Sequence, residues 1–443
     1  MHYRTWIAGF VTGLAVAVTG PASLTGQETF DNALALETFD KAWEIVYKTH
    51  FDTTFNGVDW VALRDELRPR VETATELGDV RGAIREMLER LNQSHFALIP
   101  KEFADSLDPA EGDPSEKVGD IGFDMRFIDD QLVVTVVDLK GPAGEAGVQP
   151  GWVIAAVGDD RVADLVERRK NIESKRPLDI LVWAGVRNRL QGAPGTDCTI
   201  EFLDGHDETR VMELTRRPEP GEPVKLGNLP TFFARFSSGQ QQTDDGTAVG
   251  VIWFNAWMVP LVKKFDAAVD EYRELDGMVI DLRGNGGGVG AMVMGLAGHF
   301  TDDRMPLGVM KTRTTELKFS ANPRRVDTAG ERVTPYAGPV AILTDGLTGS
   351  ASEMFAGGMQ GAGRMRVFGD TTAGGVLPAS MSRLPNGDVL YHAFGEFETA
   401  DGTYLEGRGV YPDEPVALSR EALLAGRDDV LLAALQWIAG QRD

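Results

Sequence analysis

The stretch MVIDLRGNGGG, residues 278–288, decides how the second half of this chain folds. Its apolar start indicates a buried strand over 278–282, and the glycines indicate a turn directly after that strand. Consecutive glycines let backbone N–H groups point into a cavity, where they can stabilise an anion or an oxyanion. The stretch therefore marks either a candidate site or a tight turn and nothing more.

A nucleotide site is the competing interpretation of this turn. Gly286, Gly288 and Ala291 nominally satisfy the G-x-G-x-x-A pattern of dinucleotide-binding folds. However, the strand ends in the charged residues Asp281 and Arg283, and no βαβ unit carries a ribose-binding acid about 20 residues further on. No Gly-Lys-Ser/Thr follows either, which excludes a P-loop.

A second strand-to-helix junction has the sequence TDGLTGSASE, residues 344–353. A buried strand is predicted over 340–344, and Ser350 is expected to open the next helix. N–H groups at a helix N-terminus stabilise negative charge, so Ser350 is a candidate nucleophile. The structural alternative is a capping box, because Glu353 follows Ser350 at the required spacing.

A serine nucleophile needs a base, and the chain has six histidines. Two of them are candidates: His95, beside Ser94 where a helix gives way to a strand, and His392, in a late hairpin. The residues alone leave both open. The remaining histidines are expected in the leader, a helical core, a hairpin turn and a helix end: His2, His50, His206 and His299.

The chain divides into three regions by the period of its apolar residues. Helical periodicity over 34–91 predicts a helical module over 28–100, and short strands are predicted through 117–217, among them 153–157. The region 226–443 alternates between strands and helices, which predicts a layered α/β domain with ligands at the carboxyl ends of its strands. Its predicted elements are strands over 249–254, 278–282, 340–344, 365–368 and 388–397, and helices over 259–275, up to residue 299, and from 350 onward.

Composition limits the functions available to the chain. Its 443 residues carry 44 Lys and Arg against 67 Asp and Glu, a net charge of −23, so nucleic-acid binding is not expected. Cys198 is the only cysteine, which excludes an internal disulfide and any multi-cysteine metal site. Arg4, an apolar stretch over 6–19 and small residues over 21–23 predict a secretory signal peptide over 1–26. We therefore expect an exported protein, periplasmic or extracellular, without a stable membrane anchor after cleavage.

The glycine-rich turn, the serine junction and the segment GDTTAGG (369–375), in this order, resemble the S41 peptidases. That family contains the tail-specific C-terminal processing proteases and the tricorn core protease. The resemblance implies a multi-domain α/β fold with a crotonase/ClpP-like peptidase core over 226–443. It further implies an N-terminal helical module over 28–100 and a PDZ-like β-rich domain over 117–217.

The family uses two catalytic solutions, and the sequence distinguishes them. Processing proteases carry a lysine base 25 residues after the serine, but Gly375 stands there, and no lysine follows Lys318. Tricorn-like members place Ser–His at the end of the helical module and a glutamate before Gly-Val-x-Pro-Asp, as in LEGRGVYPD (405–413). The resemblance thus makes Ser350 the nucleophile, with the other roles assigned as follows: His95 as general base and acid, Ser94 as relay, and Glu406 behind it.

The remaining roles follow from the same resemblance. Backbone N–H groups of Ala351 and Gly287 are expected to hold the oxyanion. The predicted activity is hydrolysis of extended or unfolded polypeptides through an acyl-enzyme, without metal or organic cofactor. Asp120, inside the carboxylate loop of the PDZ-like domain, leaves open whether that domain binds C-termini. The alternatives are a catalytically inactive, PDZ-containing peptide-binding scaffold and an ester hydrolase on the same fold.

Overall fold

The computed structural model describes residues 30–106, 118–170, 178–225 and 231–441, so the predicted signal peptide over 1–26 lies outside the described residues. The helices are α1 (Asn32–Thr49), α2 (Trp60–Glu72), α3 (Leu77–Glu89), α4 (Lys101–Ser106), α5 (Pro142–Glu145), α6 (Val162–Lys170), α7 (Leu178–Leu190), α8 (Val259–Glu271), α9 (Met292–Ala297), α10 (Ala351–Gly361), α11 (Arg420–Leu424) and α12 (Asp429–Ala439). The strands of the first half are β1 (Ala97–Ile99), β2 (Gly119–Asp120), β3 (Phe123–Ile128), β4 (Gln131–Val137), β5 (Val153–Val157), β6 (Asp160–Arg161), β7 (Asp197–Leu203), β8 (Thr209–Thr215), β9 (Arg217–Pro218) and β10 (Glu222–Val224). Those of the second half are β11 (Phe232–Ala234), β12 (Phe236–Gln242), β13 (Ala248–Phe254), β14 (Gly277–Asp281), β15 (Met305–Thr312), β16 (Glu316–Ala321), β17 (Val340–Thr344), β18 (Arg366–Gly369), β19 (Ala379–Arg383), β20 (Val389–Ala393), β21 (Gly395–Thr399) and β22 (Glu414–Pro415).

The mixed α/β, multi-domain architecture predicted from the sequence is confirmed, and its centre is a largely parallel sheet. The strand order is β12-β13-β14-β17-β18-β22, with β12 antiparallel at one edge and the rest parallel. Alternate residues of β14 face opposite layers: Ile280 packs with α8, α9 and α10, and Val279 packs with α12. Burial on both faces explains why β14 and β17 are apolar up to their last residues, Asp281 and Thr344.

Helices α1 to α3 bury one apolar stripe each, with Phe39, Leu67 and Ile84 among their least exposed residues. Their core is continuous with Leu377 and Leu390, which belong to the region around the β19–β20 hairpin. The helical module therefore shares its hydrophobic core with a segment some three hundred positions later in the chain.

An ion pair and a strand pairing hold this module against the β19–β20 hairpin. Arg81 donates to the fully buried carboxylate of Asp388 through Nε (2.9 Å) and Nη2 (2.6 Å). Strand β1 pairs antiparallel with β20, which sets Ala97 opposite Tyr391. The register of this pair determines the positions of Ser94 and His95, which lie just before β1.

The β-rich region forms an antiparallel sheet in the order β3-β4-β5-β7-β8, with β6 on β5. Its core lies between this sheet and helices α6 and α7, where Ile154, Phe202 and Val186 are buried. Strand β5 has the bounds predicted from the sequence, 153–157.

Some sequence-based boundaries were wrong. The single strand predicted over 388–397 is two strands, because β20 ends at Ala393 and Phe394 N donates to Pro378 O (2.9 Å). The following strand, β21, pairs with β15 in another sheet. The helix predicted over 259–275 ends at Glu271, since the next residue, Tyr272, has φ −94° and ψ 5° and packs its ring where a Cβ on Gly250 would lie.

The β-rich region is docked on the peptide segments that follow β14 and β17. Arg126 Nε donates to Asp345 Oδ2 (2.5 Å), and Gly284 N donates to Asp345 Oδ1 (3.0 Å). Arg126 is also paired with Asp124 of its own strand (2.9 Å). A small apolar interface that includes Leu423 of α11 completes the contact.

Replacing Arg126 by Met is expected to lower the free energy of unfolding by about 3 kcal/mol, because it leaves the buried Asp345 carboxylate without its cation. Urea denaturation measures this. Arg217→Met in the same region is the matched control, since its ion pair with Glu145 is exposed and its loss is expected to change little. Equal stability of the two variants would contradict the role given to the Arg126 contact.

Candidate active site

Ser350 lies immediately before α10 in a strained backbone conformation. Its φ is 55° and its ψ is −117°, a region that L-residues rarely adopt, and the residue is 3% exposed. Its N–H donates to Glu353 Oε2 (2.9 Å) and to the carbonyl of Gly375 (2.9 Å). Strained serine turns at strand-to-helix junctions are typical of the nucleophile elbow of hydrolases.

The loop between β17 and Ser350 is fixed by its own side chains. Thr348 Oγ1 donates to Leu282 O (2.9 Å), and Gly349 N donates to Asn285 O (3.0 Å). Asp345 Oδ1 accepts from Leu347 N (3.0 Å) as well as from the glycine-rich turn. Hydrogen bonds therefore join this loop and the glycine-rich turn into one unit.

Gly287 is the point of closest approach between the two. Its φ is +108°, and a Cβ built there would lie 2.6 Å from Ser350 Cβ and 3.0 Å from Ala351 N. Only glycine fits this position. Asn285 Oδ1 accepts from Gly287 N (3.0 Å), while Asn285 Nδ2 donates to Phe254 O (2.8 Å). The amide of Gly287, predicted as an oxyanion donor, is thus engaged by Asn285 in this structure.

Ser94, His95 and Glu406 form a hydrogen-bonded chain. Ser94 Oγ lies 2.6 Å from His95 Nδ1 and donates to Glu406 Oε2 (2.9 Å). Glu406 Oε1 accepts from Ser94 N (2.7 Å). His95 is 2% exposed, has φ 62°, and tilts against the ring of Tyr391 with centroids 5.4 Å apart.

The chain of hydrogen bonds determines the imidazole tautomer. A carboxylate only accepts, so the single proton of the Ser94 hydroxyl points to Glu406. The lone pairs of that oxygen then face His95, and we assign the ring proton to Nδ1. This assignment places the ring's lone pair on Nε2.

The segment 374–376 connects Ser350 with the hydrogen-bonded chain of Ser94, His95 and Glu406. Gly375 O accepts from Ser350 N (2.9 Å), and the next N–H, that of Val376, donates to Glu406 Oε2 (3.0 Å). The structure thus brings Ser94, His95 and Glu406 into direct contact. It packs the other predicted site residues together: Ser350, Gly287 and Ala351.

Of the two carboxylates in the site, Glu353 is fully buried and Glu406 is partly buried. Burial raises the pKa of Glu353 to about 7, although hydrogen bonds from Thr372, Gly374 and Ser350 oppose the shift. Burial likewise raises the pKa of Glu406, against hydrogen bonds that include those from Ser94 and Val376. Each group accepts only from N–H and O–H donors in the contacts above, a pattern that suits the charged form.

His392, the other candidate base, has both ring nitrogens in hydrogen bonds. Nδ1 lies 3.1 Å from Thr49 Oγ1, and Nε2 lies 3.1 Å from Ser382 Oγ. Burial lowers the pKa of His392 to about 4, so the ring is neutral at ordinary pH. These contacts join α1 to the β19–β20 hairpin.

Glu353 and Asn285 are the two residues of the site that sequence analysis did not assign to it. Glu353 entered only as half of a capping box, and Asn285 only as a letter of the glycine-rich turn. The spacing of Glu353 from Ser350 was a usable signal, because a carboxylate at N3 reaches the N-cap backbone. Nothing in the sequence pointed to the amide contacts of Asn285.

Across the described ranges, no group of three or more His, Cys, Asp or Glu side chains is placed to hold a metal ion. No helix in that part of the chain is both long and apolar enough to cross a bilayer.

Comparison with known proteins identifies the class. Residues 248–416 match the model of peptidase family S41, and residues 33–89 match the C1 domain of tricorn protease. The chain belongs to peptidase family S41 and is a serine-type peptidase. A carboxyl-terminal-processing protease of Synechocystis sp. is 26% identical over 416 residues, covering 90% of this chain and 86% of that protein.

Solved structures agree with the fold. The photosystem II D1 C-terminal processing protease superposes with a TM-score of 0.57 at 21% identity, covering 88% of this chain and 94% of the other. Mature CPAF gives a TM-score of 0.60 at 12% identity, with coverage of 93% and 99%. The similarity thus spans nearly the whole chain.

Replacing Gly287 by Ala is expected to lower peptidase activity by at least about 100-fold, because the new methyl would displace Ser350. Hydrolysis of casein and labelling by a fluorophosphonate probe measure the loss. Gly363→Ala is the matched control: it also has positive φ (+64°), but a Cβ there meets nothing within 4 Å. A G287A variant that labels like the wild type would contradict the packing argument.

Proposed function

We propose that this chain is an exported serine endopeptidase that hydrolyses extended or unfolded polypeptides, with Ser350 as nucleophile and His95 as base. The observation that carries the proposal is the hydrogen-bonded series from Glu406 through Ser94 to His95 Nδ1. It leaves the other ring nitrogen as the proton acceptor. The tricorn-like arrangement of the family, rather than a Ser–Lys pair, agrees with glycine at position 375.

The reaction proceeds through an acyl-enzyme. Ser350 Oγ attacks the scissile carbonyl carbon as its proton passes to His95 Nε2. The C–N bond then breaks, and the imidazolium returns that proton to the leaving amine. A water molecule attacks the resulting ester in the same way, which releases the carboxylate product and restores the Ser350 hydroxyl. Charged Glu406, acting through Ser94, stabilises the imidazolium in both steps.

The negative charge on the carbonyl oxygen requires N–H donors. Ala351 is the first residue of α10, so its N–H has no acceptor inside the helix and is assigned as the first donor. Gly287 N, packed against it, is the second. Because that N–H already meets Asn285 Oδ1, its bond becomes a three-centre bond shared with the oxyanion.

The regions 28–100, 117–217 and 226–443 act as helical module, PDZ-like domain and peptidase core in this proposal. The antiparallel sheet with α6 and α7 supports a PDZ-like unit that takes an extended polypeptide by strand addition. Asp120 Oδ1 accepts from Ile121 N (2.8 Å), so a carboxylate of the chain itself already occupies an N–H of this loop. Export rests on the leader sequence over 1–26.

Ser350→Ala is expected to abolish casein hydrolysis and probe labelling while the fold, followed by circular dichroism, is retained. His95→Ala is expected to be nearly as damaging, whereas His392→Ala is expected to be mild, because His392 only joins α1 to the hairpin. Retained turnover in the serine variant would refute the assignment. The reverse order of the two histidine variants would move the base to the hairpin.

Glu406→Gln is expected to lower kcat by about 10²- to 10⁴-fold, because an amide presents N–H groups to donors and no longer fixes the Ser94 hydroxyl or the His95 tautomer. Glu414→Gln is the control, since Glu414 forms a half-exposed pair with Arg366. Steady-state kinetics on a fluorogenic peptide compares the two. If the two variants have similar kcat values, Glu406 does not act through Ser94 on His95.

A non-catalytic, peptide-binding scaffold is the second candidate, favoured by the absence of a lysine after Lys318. Fluorophosphonate labelling separates it from the peptidase, because a scaffold without an activated serine does not react at Ser350. Relative turnover of peptide amides and simple esters separates an ester hydrolase from a peptidase on the same fold.

A further inference from the structure

We propose that Glu353 is a positioning residue for the reaction: its carboxylate holds the backbone of the nucleophile and the segment 374–375 in one fixed arrangement. The inference rests on the proposed function, since it concerns the geometry of Ser350 as nucleophile. Glu353 does not touch the reacting atoms, so it acts only through the groups that it binds.

Four donors converge on this carboxylate. Oε1 accepts from Gly374 N (2.7 Å) and Thr372 Oγ1 (2.5 Å), and Oε2 accepts from Ser350 N (2.9 Å) and Gly375 N (3.0 Å). A capping glutamate needs only the bond to the N-cap residue. The three additional bonds come from a segment 19–22 positions later, so the carboxylate ties the nucleophile to that segment.

The segment held by Glu353 continues into the one held by Glu406. Gly375 is followed by Val376, whose N–H donates to Glu406 Oε2 (3.0 Å). Glu406 in turn holds Ser94, the neighbour of His95. Because Ser350 N also donates to Gly375 O (2.9 Å), a shift of this segment changes the position of the nucleophile relative to the base.

Only the ionised carboxylate can accept all four bonds. Protonation of either oxygen places an O–H where an N–H or O–H already points, and at least one bond is lost. Glu353 is fully buried, and the charged group that faces it from the neighbouring loop is Glu406, of the same sign. Burial and this neighbour raise the pKa of Glu353 to about 7, so its protonation falls within the ordinary working range.

The shift has opposite consequences for stability and activity. The pKa of Glu353 is higher in the folded chain than the usual 4.5, so the folded state binds the extra proton between about pH 4.5 and 7. Its contribution to stability is therefore present at low pH and lost as the pH rises through 7. The activity that depends on the charged form changes in the opposite direction. If Glu353 had only a structural role, stability and activity would not change in opposite directions with pH.

The first experiment is kcat and KM of Glu353→Gln on a fluorogenic peptide from pH 5 to 9, with Glu414→Gln as control. We expect kcat to fall by about 100-fold at pH 8, the effect of a misplaced reacting group, with KM changed less than about threefold. Wild-type kcat with a wild-type pH profile would overturn the proposal.

A second pair of variants remains informative if Glu353→Gln does not fold. Thr372→Val removes one donor to the carboxylate, which raises the pKa of Glu353 further, so the acidic limb of the kcat profile should move to higher pH. Thr372→Ser keeps the hydroxyl, which also accepts from Val410 N (2.7 Å), and is expected to keep the wild-type limb. An unmoved limb in Thr372→Val overturns the proposal.

The proposed function and the positioning role of Glu353 are overturned by different results. If the wild type neither hydrolyses peptides nor reacts with the probe, the proposed function is wrong. If the wild type is active and Ser350→Ala is not, but the Glu353 and Thr372 variants match the wild type, the function stands and the positioning role is wrong.

Discussion

The hydrogen-bonded carboxylate of Glu406 is the contact on which the rest of this site depends. It accepts from both the N–H and the hydroxyl of Ser94, a residue 312 positions earlier in the sequence, and from Val376 N. Three separate parts of the chain thus meet at one side chain. Elsewhere the helical module is held by a shared apolar core and by the pair of Arg81 with Asp388. Those contacts fix the module, whereas Glu406 fixes Ser94, the neighbour of His95.

Two carboxylates hold consecutive N–H groups of the segment 374–376. The N–H groups of Gly374 and Gly375 point to Glu353, and the next N–H, from Val376, points to Glu406. Burying two like charges near each other is costly unless each is fully hydrogen-bonded. Backbone N–H donors stabilise both here, so glycine at position 375 is compatible with the proposed relay.

The sequence was sufficient for the residues whose role depends on local pattern. Glycines after a buried strand, and a serine at the start of a helix, marked the glycine-rich turn and Ser350 as candidates because strand, turn and helix are determined within a few residues. The choice between His95 and His392 was not available from the residues themselves. It needed the resemblance, and the structure adds that both nitrogens of His392 already meet hydroxyls.

Features that depend on distant partners left no such pattern. Strand β12, with the polar sequence FSSGQQQ, exists because it pairs along its whole length with β13, and six of its seven residues are exposed. The capping box indicated one of the four bonds of Glu353, while the other three come from residues 19–22 positions away. The break after β20 similarly reflects the pairing of β21 with β15 rather than the apolar run itself.

The same distant contacts explain how a strained backbone persists at both ends of the proposed proton transfer. Ser350 and His95 have φ values of 55° and 62°, each of which costs of order 1–3 kcal/mol unless the surroundings enforce it. For Ser350 the enforcing contacts are Glu353, Gly375 O and the close approach of Gly287. For His95 they are the Ser94 bonds on one side and the β1–β20 pairing on the other. Each strained residue is thus held by two independent sets of contacts, and its conformation is not one that the backbone would adopt without them. The conformation of the site is therefore a property of the assembled fold, and the helical module is as necessary to it as the peptidase core.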